Sequence, residues 1–173
     1  LLDRDGEAAR IVGGAVRNAL MKRLGTDHDI ATTAVPGVVL ARAKVAGIKT
    51  IETGIAHGTV TLRVDGRSFE VTTLREDIET DGRHAKIRFG RDFSRDALRR
   101  DFTINALSMG PDGEVHDYAG GLADIEAGRV CFIGDPATRI REDFLRILRF
   151  FRFSAEYAAG EFDAQAMAAC IHE

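Results

Sequence analysis

The sequence predicts a mixed α+β domain that is followed by helices. Three observations carry this prediction. Short β-rich runs alternate with amphipathic stretches up to about Phe132, an Asp-Gly pair separates two of the β-rich runs, and the remainder of the chain has helical periodicity. The composition changes near Asp135-Pro136, so we predict a head at residues 1–134 and the start of a helical neck at residues 135–173.

The first elements follow from apolar spacing and from the residues that end helices. Residues 15–24 carry apolar side chains at i, i+4 and i+8, which predicts a helix that Gly25 ends. Residues 29–32 predict a short strand. Pro36 predicts the start of a second helix that ends at Gly47.

The middle of the chain predicts a hairpin and then a loop. Residues 59–64 and 67–73 are β-rich, and Asp65-Gly66 between them is a strong hairpin signal. Residues 78–93 show neither period and predict a long mobile loop.

The last strands and the helices complete the predicted order. Strands are expected at residues 104–109, 115–118 and 130–133, with a turn at 111–113. The Phe- and Leu-rich residues 142–155 predict a continuous helix, and the chain from Asp163 onward predicts another.

Composition excludes several classes of protein. The formal net charge of −3 is unlike that of a chain that binds nucleic acid along its whole length, although residues 83–100 hold seven Lys or Arg against two Asp. The two cysteines form no CxxC pair, which argues against a disulfide scaffold or a structural zinc site and favours the cytosol. No apolar run is long enough to cross a membrane, and no signal peptide is recognisable. Because the chain lacks an initial Met and stops within an Ala-rich helical stretch, we expect a fragment or a partly ordered chain; its oligomeric state is not readable.

Three carboxylates suggest a metal site. Asp27 and Asp29 are two residues apart, so on a strand they project from one face, where a cation would relieve their repulsion. Glu70 lies between Phe69 and Val71, and we expect its side chain on the face opposite to theirs. Three carboxylates can hold two metal ions, although a lone Asp-x-Asp is more often part of a capped turn.

Glycine and arginine residues suggest a nearby phosphate site. Gly13-Gly14 precedes a predicted helix, whose N–H groups attract phosphate, and Arg17 lies one turn into it. An ordinary strand-to-helix turn needs the same glycines. Arg99 and Arg100, followed by Asp101 and Asn105, could bind a phosphate or a ribose, or they could mark a charged helix end. The spacing of Asp143, Arg146 and Arg149 places them on one predicted helix face, where they could pair with a base edge or with each other.

Six segments, taken together and in this order, resemble the class II tRNA nucleotidyltransferases, the family of CCA-adding enzymes and bacterial poly(A) polymerases. They are GGAVR at 13–17, DHDIAT at 27–32, EVTTLR at 70–75, RRDFTINA at 99–106, DYxGGxxD at 117–124 and EDxxRxxR at 142–149. The resemblance covers nearly the whole chain. It implies a polymerase-β-like nucleotidyltransferase head, with a mixed β-sheet and flanking helices, joined to an all-α neck.

The resemblance also implies a reaction and its residues. An RNA 3′-hydroxyl would attack the α-phosphate of CTP or ATP, with the tRNA 3′ end as acceptor and two Mg²⁺ ions bound by Asp27, Asp29 and Glu70. Arg99, Arg100, Asp101 and Asn105 fall in the motif for ribose and triphosphate. Asp143 and Arg146 fall in the motif that reads the base, and residues 75–93 fall where the family has a flexible loop.

Two departures and three alternatives stay open. Asn18 stands where the family usually has Asp, and the body and tail that bind tRNA in the family are absent after Glu173. The alternatives are a poly(A) polymerase or A-adding specialist of the same family, a non-catalytic nucleotide- or RNA-binding module, and an Asp-x-Asp glycosyltransferase.

Overall fold

A computed structural model describes residues 1–25, 28–81 and 84–173, with the backbone alone at 53, 76–81 and 84–87. The nine strands described are β1 Ala9–Val12, β2 Asp29–Thr32, β3 Lys49–Gly54, β4 Thr59–Val64, β5 Arg67–Thr73, β6 Arg75–Asp81, β7 His84–Phe89, β8 Ser108–Met109 and β9 Val115–His116. The seven helices described are α1 Gly14–Leu20, α2 Pro36–Val45, α3 Phe93–Leu98, α4 Gly121–Glu126, α5 Pro136–Glu142, α6 Leu145–Tyr157 and α7 Ala164–His172. Two 3₁₀ helices lie at Ile55–His57 and Thr103–Asn105.

Seven strands form one mixed sheet in the order β3-β4-β5-β2-β1-β8-β9, which confirms the predicted α+β class. The pairing of β2 with β5 is parallel, whereas β1 pairs antiparallel with both β2 and β8. The β4–β5 hairpin has its predicted bounds, and its turn residues Asp65 and Gly66 have φ of 48° and 77°, as a tight primed turn requires. The sheet therefore places β1, β2 and β5 side by side.

Two large apolar clusters hold the fold together. One packs α2 against the sheet through residues that include Val39, Val60 and Val71. The other joins Phe102 and Phe132 of the predicted head to Phe150 and Phe153 of α6. Because the second cluster draws on both sides of residue 134, the two predicted parts share a core, and the division at 134 stays a prediction.

Some predicted elements were wrong. Most of the segment predicted as a loop at 78–93 is β-structure: residues 75–81 and 84–89 pair as the antiparallel strands β6 and β7. The alternation of Ala85, Ile87 and Phe89 with polar residues is the period-two signal that was overlooked. Residues 104–109 contain a 3₁₀ helix and only a two-residue strand, and residues 130–133 form a single bridge between Phe132 and Phe102 instead of a strand.

Two predicted helices end or break early. The helix predicted at 15–24 ends at Leu20, because Lys22 adopts a left-handed φ of 55° and the Arg23 amide donates to the Asn18 carbonyl. The helix predicted at 142–155 is interrupted at Asp143, whose backbone is extended (φ −158°, ψ 107°). Its carboxylate accepts a hydrogen bond from the Leu145 amide, so the residue caps α6 instead of continuing α5.

Across the described residues, no helix has the length and apolar character needed to cross a membrane.

Candidate active site

A cavity of about 890 Å³ lies between α1, the segment after α3, and α6. Its lining includes most of the residues that the sequence singled out: Gly13, Gly14, Arg17, Asp29, Arg99, Arg100, Asp101, Asn105, Asp143, Arg146 and Arg149. A second cavity of about 270 Å³ is lined by Glu70 and shares Asp29, Arg99 and Arg100 with the first. Segments far apart in sequence therefore converge on one place.

Two of the three predicted carboxylates are neighbours. Asp29 and Glu70 are register partners on the parallel strands β2 and β5, so both side chains leave the same face of the sheet. Both are exposed, and they face the second cavity. Asp27 lies outside the described residues. The part of the chain that the structure describes holds no group of three or more His, Cys, Asp or Glu side chains placed to bind a metal.

The His28 ring is turned toward the other side of β5, as the alternation along a strand requires. It stacks on Phe69 with 5.4 Å between ring centroids. This contact gives the His28 ring a packing role against an apolar side chain.

At Gly13 the backbone itself forms part of the wall of the larger cavity, because glycine has no side chain. Its φ of 66° is left-handed, and a Cβ there would lie 3.0 Å from Nη1 of Arg100. Its amide donates to the Leu107 carbonyl at 2.9 Å, which ties the turn before α1 to the segment before β8. A side chain at this position would therefore displace the Arg100 guanidinium from its place in the cavity wall.

Asp96 orients the two adjacent arginines. This buried carboxylate accepts hydrogen bonds from Nε of Arg99 at 3.0 Å and from Nη2 of Arg100 at 3.2 Å. Burial alone would raise the pKa of Asp96, but the charges of the two guanidinium groups outweigh burial and hold the pKa below its ordinary value. Sequence reasoning missed Asp96, although its i,i+3 and i,i+4 spacing to Arg99 and Arg100 could have identified it.

Arg17 is buried, with 5% of its surface exposed. It donates to the side-chain oxygens of Asn18 (3.0 and 3.2 Å) and Asn105, and to the hydroxyl of Tyr157 (2.7 Å). Burial lowers its pKa from the ordinary value, yet a guanidinium remains protonated at neutral pH. These hydrogen bonds use most of the N–H donors of Arg17. The guanidinium therefore lines the cavity while neighbouring side chains of the protein fix its position.

Asp101 and Arg149 form an ion pair across the cavity. Nε of Arg149 donates to Oδ2 of Asp101 at 2.6 Å, while Oδ1 accepts from Nδ2 of Asn105 at 3.1 Å. The Asp101 carboxylate is thereby fixed on both oxygens. Arg149 was predicted to contact nucleotide, and the structure places it against the protein's own carboxylate.

Asp143 and Arg146 line the cavity without pairing to each other. Nη1 of Arg146 donates to the carboxylate of Glu142 at 2.5 Å and to the carbonyl of Arg139 at 3.0 Å. Asp143 is exposed at the start of α6. Arg146 therefore forms its ion pair with Glu142. It does not form one with Asp143, which was the alternative explanation of their spacing.

Cys131 is unsuited to a nucleophilic role. Burial, aided by the nearby charges of Asp124 and Asp163, raises the pKa of its thiol to about 12. At neutral pH the thiol is therefore protonated and unreactive.

Comparison with known proteins decides the family. A family model described as the poly A polymerase head domain matches residues 9–131. The chain belongs to this family. It is 48% identical over 151 residues to the mitochondrial CCA tRNA nucleotidyltransferase 1 of Danio rerio, covering 87% of this chain and 35% of that protein. It is 43% identical over 157 residues to the CCA-adding enzyme of Bacillus pumilus, covering 90% and 38%.

The structural comparison agrees. The Bacillus stearothermophilus CCA-adding enzyme, solved in complex with CTP, superposes with a TM-score of 0.85 at 36% identity. The match covers 97% of this chain and 40% of that one. The chain thus spans little more than a third of the length of the curated relatives.

Asn18 supplies a neutral acceptor beside Arg17 in this poly A polymerase head domain. Its Oδ1 accepts from both Nε and Nη2 of Arg17, as one oxygen of a carboxylate would. Compared with the Asp that the resemblance implies at this position, Asn18 offers Arg17 an acceptor oxygen without a negative charge.

Proposed function

We propose that the protein carrying this chain adds CMP and AMP from CTP and ATP to the 3′ end of tRNA. The observation that carries the proposal is the register pairing of Asp29 with Glu70 where two Arg-lined cavities meet. The similarity to enzymes named as CCA-adding over most of this chain supports the same activity.

The reaction assigns a task to each group of residues. The RNA 3′-oxygen forms a bond to the α-phosphorus while the bond from that phosphorus to the bridging oxygen breaks, so pyrophosphate leaves with the electron pair. Arg99 and Arg100 stabilise the charge on the triphosphate, and Asp101 and Asn105 bind the ribose. Asp143 and Arg146 present an acceptor and donors to the edge of the base.

The carboxylates suit magnesium. Asp29 and Glu70 are exposed oxygen ligands on one face of the sheet, and hard oxygen ligands are those that Mg²⁺ prefers. We propose that Asp29, Glu70 and Asp27 hold the metal. When bound there, Mg²⁺ would lower the pKa of the attacking RNA 3′-hydroxyl, so that its proton is lost to water, and would offset the negative charge of the phosphates.

Removal of one carboxylate charge tests the proposal. Incorporation of CTP, and then ATP, into a tRNA that lacks its terminal CCA is measured for Asp29→Asn and for a control, Asp112→Asn, in the β8–β9 turn. Asp29→Asn should lower incorporation at least about a hundredfold, with its fold retained, and Asp112→Asn should not. Chelation of Mg²⁺ should stop the wild-type reaction, and resupply should restore it.

The same assay separates the alternatives. Incorporation of ATP without CTP would identify a poly(A) polymerase or an A-adding specialist. Binding of nucleotide without incorporation would identify a non-catalytic module. We retain the cytosol as the proposed compartment, although the relatives include a mitochondrial enzyme.

A further inference from the structure

Tyr157 joins the end of α6 to α1. Its hydroxyl accepts a hydrogen bond from Nη2 of Arg17 at 2.7 Å, and Cζ of Arg17 lies 3.9 Å from the centre of its ring. Cζ of Arg23 lies 5.0 Å from the same ring, and its Nη1 donates to the Glu156 carbonyl at 2.7 Å. Two arginines from α1 and the turn after it therefore hold one tyrosine of α6.

The contact belongs to a closed path of hydrogen bonds. From Tyr157 the path runs through Arg17 to Asn105, from Asn105 to Asp101, and from Asp101 to Arg149. Arg149 and Tyr157 lie on the same helix, about two turns apart. The path thus fixes α6 at two points against the residues proposed to bind ribose.

The hydroxyl of Tyr157 is important for the position of Arg17, because it accepts a hydrogen bond from this buried charged group. Arg17 is buried, and its partners Asn18, Asn105 and Tyr157 carry no formal charge. Loss of any one acceptor would leave a buried guanidinium N–H without a partner, which costs more than an ordinary hydrogen bond contributes. Arg17 would then move, and Asn105 would lose the group that its oxygen contacts.

We propose that Tyr157 is a positioning residue for nucleotide selection. It holds α6, with Arg146 in its first turn and Asp143 just before it, at a fixed distance from Asp101 and Asn105. Because the base and the ribose of one nucleotide must fit both sides at once, a looser α6 accepts bases of the wrong shape. This inference rests on the proposed function.

Tyr157→Phe tests the role, because it keeps the ring and removes only the hydroxyl. The chain offers a matched control in its other tyrosine, Tyr118, whose hydroxyl accepts from Nη1 of Arg10 at 3.0 Å outside the cavity. In the natural full-length protein, kcat/KM is measured for CTP and for UTP on a tRNA that lacks CCA. The ratio should fall by about tenfold in Tyr157→Phe and change less than about twofold in Tyr118→Phe.

The outcomes separate the two proposals. A wild-type protein that incorporates no nucleotide overturns the proposed function and this inference with it. A wild type that selects CTP, beside a Tyr157→Phe variant that selects equally well or a Tyr118→Phe variant that selects equally poorly, overturns this inference alone. If Tyr157→Phe does not fold, the exposed Arg23→Ala replaces it, and an unchanged ratio in that variant overturns the inference equally.

Discussion

Asp96 shows how one buried residue can organise a proposed binding surface. Its carboxylate lies within α3, and both Arg99 and Arg100 donate to it. Each arginine keeps further N–H groups that can point into the cavities it lines. The charge proposed to hold a triphosphate is thus arranged by a single carboxylate between the two arginines.

The Asp96 carboxylate should make stability depend on pH. Its pKa is depressed in the folded state, so its stabilising effect is present above the unfolded pKa of about 3.9 and is lost as the pH falls through the lower folded value. We expect Asp96→Asn to lower the free energy of unfolding by about 3 kcal/mol at pH 7. The difference from wild type should shrink below about pH 4.

Urea unfolding at pH 7 and at pH 3.5 measures this effect. Asp112→Asn, on the exposed β8–β9 turn, serves as the control and should change the free energy of unfolding by no more than about 0.5 kcal/mol at pH 7. A difference between Asp96→Asn and wild type that is the same at both pH values would contradict the assigned role of the carboxylate.

At the scale of elements, Asp117 organises the turn that leads into α4. Its Oδ1 accepts from the amides of Ala119, Gly120 and Gly121, and its Oδ2 accepts from the amide of Leu122, all at 2.9 to 3.0 Å. Burial would raise the pKa of Asp117, but the four backbone donors together lower it. The Asp of the DYxGGxxD segment therefore caps the backbone of the turn that leads into α4.

Substitution of Asp117 should separate the contributions of its two oxygens. Asp117→Ala removes all four acceptor contacts and should lower the free energy of unfolding by about 2 kcal/mol. Asp117→Asn keeps one acceptor oxygen for three of the amides and should cost about half as much. Equal losses in the two variants, measured by chemical denaturation, would show that the hydrogen bonds are not the cause.

Local sequence predicted those elements whose cause is local. Asp65-Gly66 marked its hairpin because a primed turn needs residues that tolerate positive φ, and the turn lies within the pairing that it creates. The break in the helix at Asp143 was not predicted, because the residues around Asp143 have helical apolar spacing. The break arises from its own carboxylate, which competes with the helix for the Leu145 amide. Periodicity does not register that competition.

The candidate site was predictable to the extent that its residues occur in recognisable segments. Asp29 and Glu70 were expected to be neighbours, and the parallel register brings them together. Tyr157 stands in none of those segments, and its contact with Arg17 spans most of the chain. Contacts of that kind depend on how α6 packs, which no local pattern encodes.

At the scale of the whole molecule, the Phe-rich cluster unites the head with the helices that follow. Phe150 is fully buried and lies 5.7 Å from the ring of Phe132 and 6.4 Å from that of Phe102. These rings come from both sides of residue 134. The described part of the chain should therefore unfold as one unit.

Phe150→Ala tests the shared core. We expect a loss of about 3–5 kcal/mol in the free energy of unfolding, with a single transition seen by both far-UV and near-UV circular dichroism. Phe144→Ala is the control, because that ring is 57% exposed and should contribute much less. Two separate transitions, with only the helices after residue 134 losing stability in Phe150→Ala, would favour independent folding of head and neck.

The parallel pairing of β2 with β5 has a consequence for the order of events during folding. Between these strands the chain must form α2, β3 and β4, so Asp29 and Glu70 meet only after a long crossover has closed. A nascent chain that has emerged only as far as α2 presents an isolated acidic segment, to which a divalent ion would bind weakly. The metal that we propose at this site would therefore be captured only after the sheet has formed, and it would not guide the assembly of the sheet.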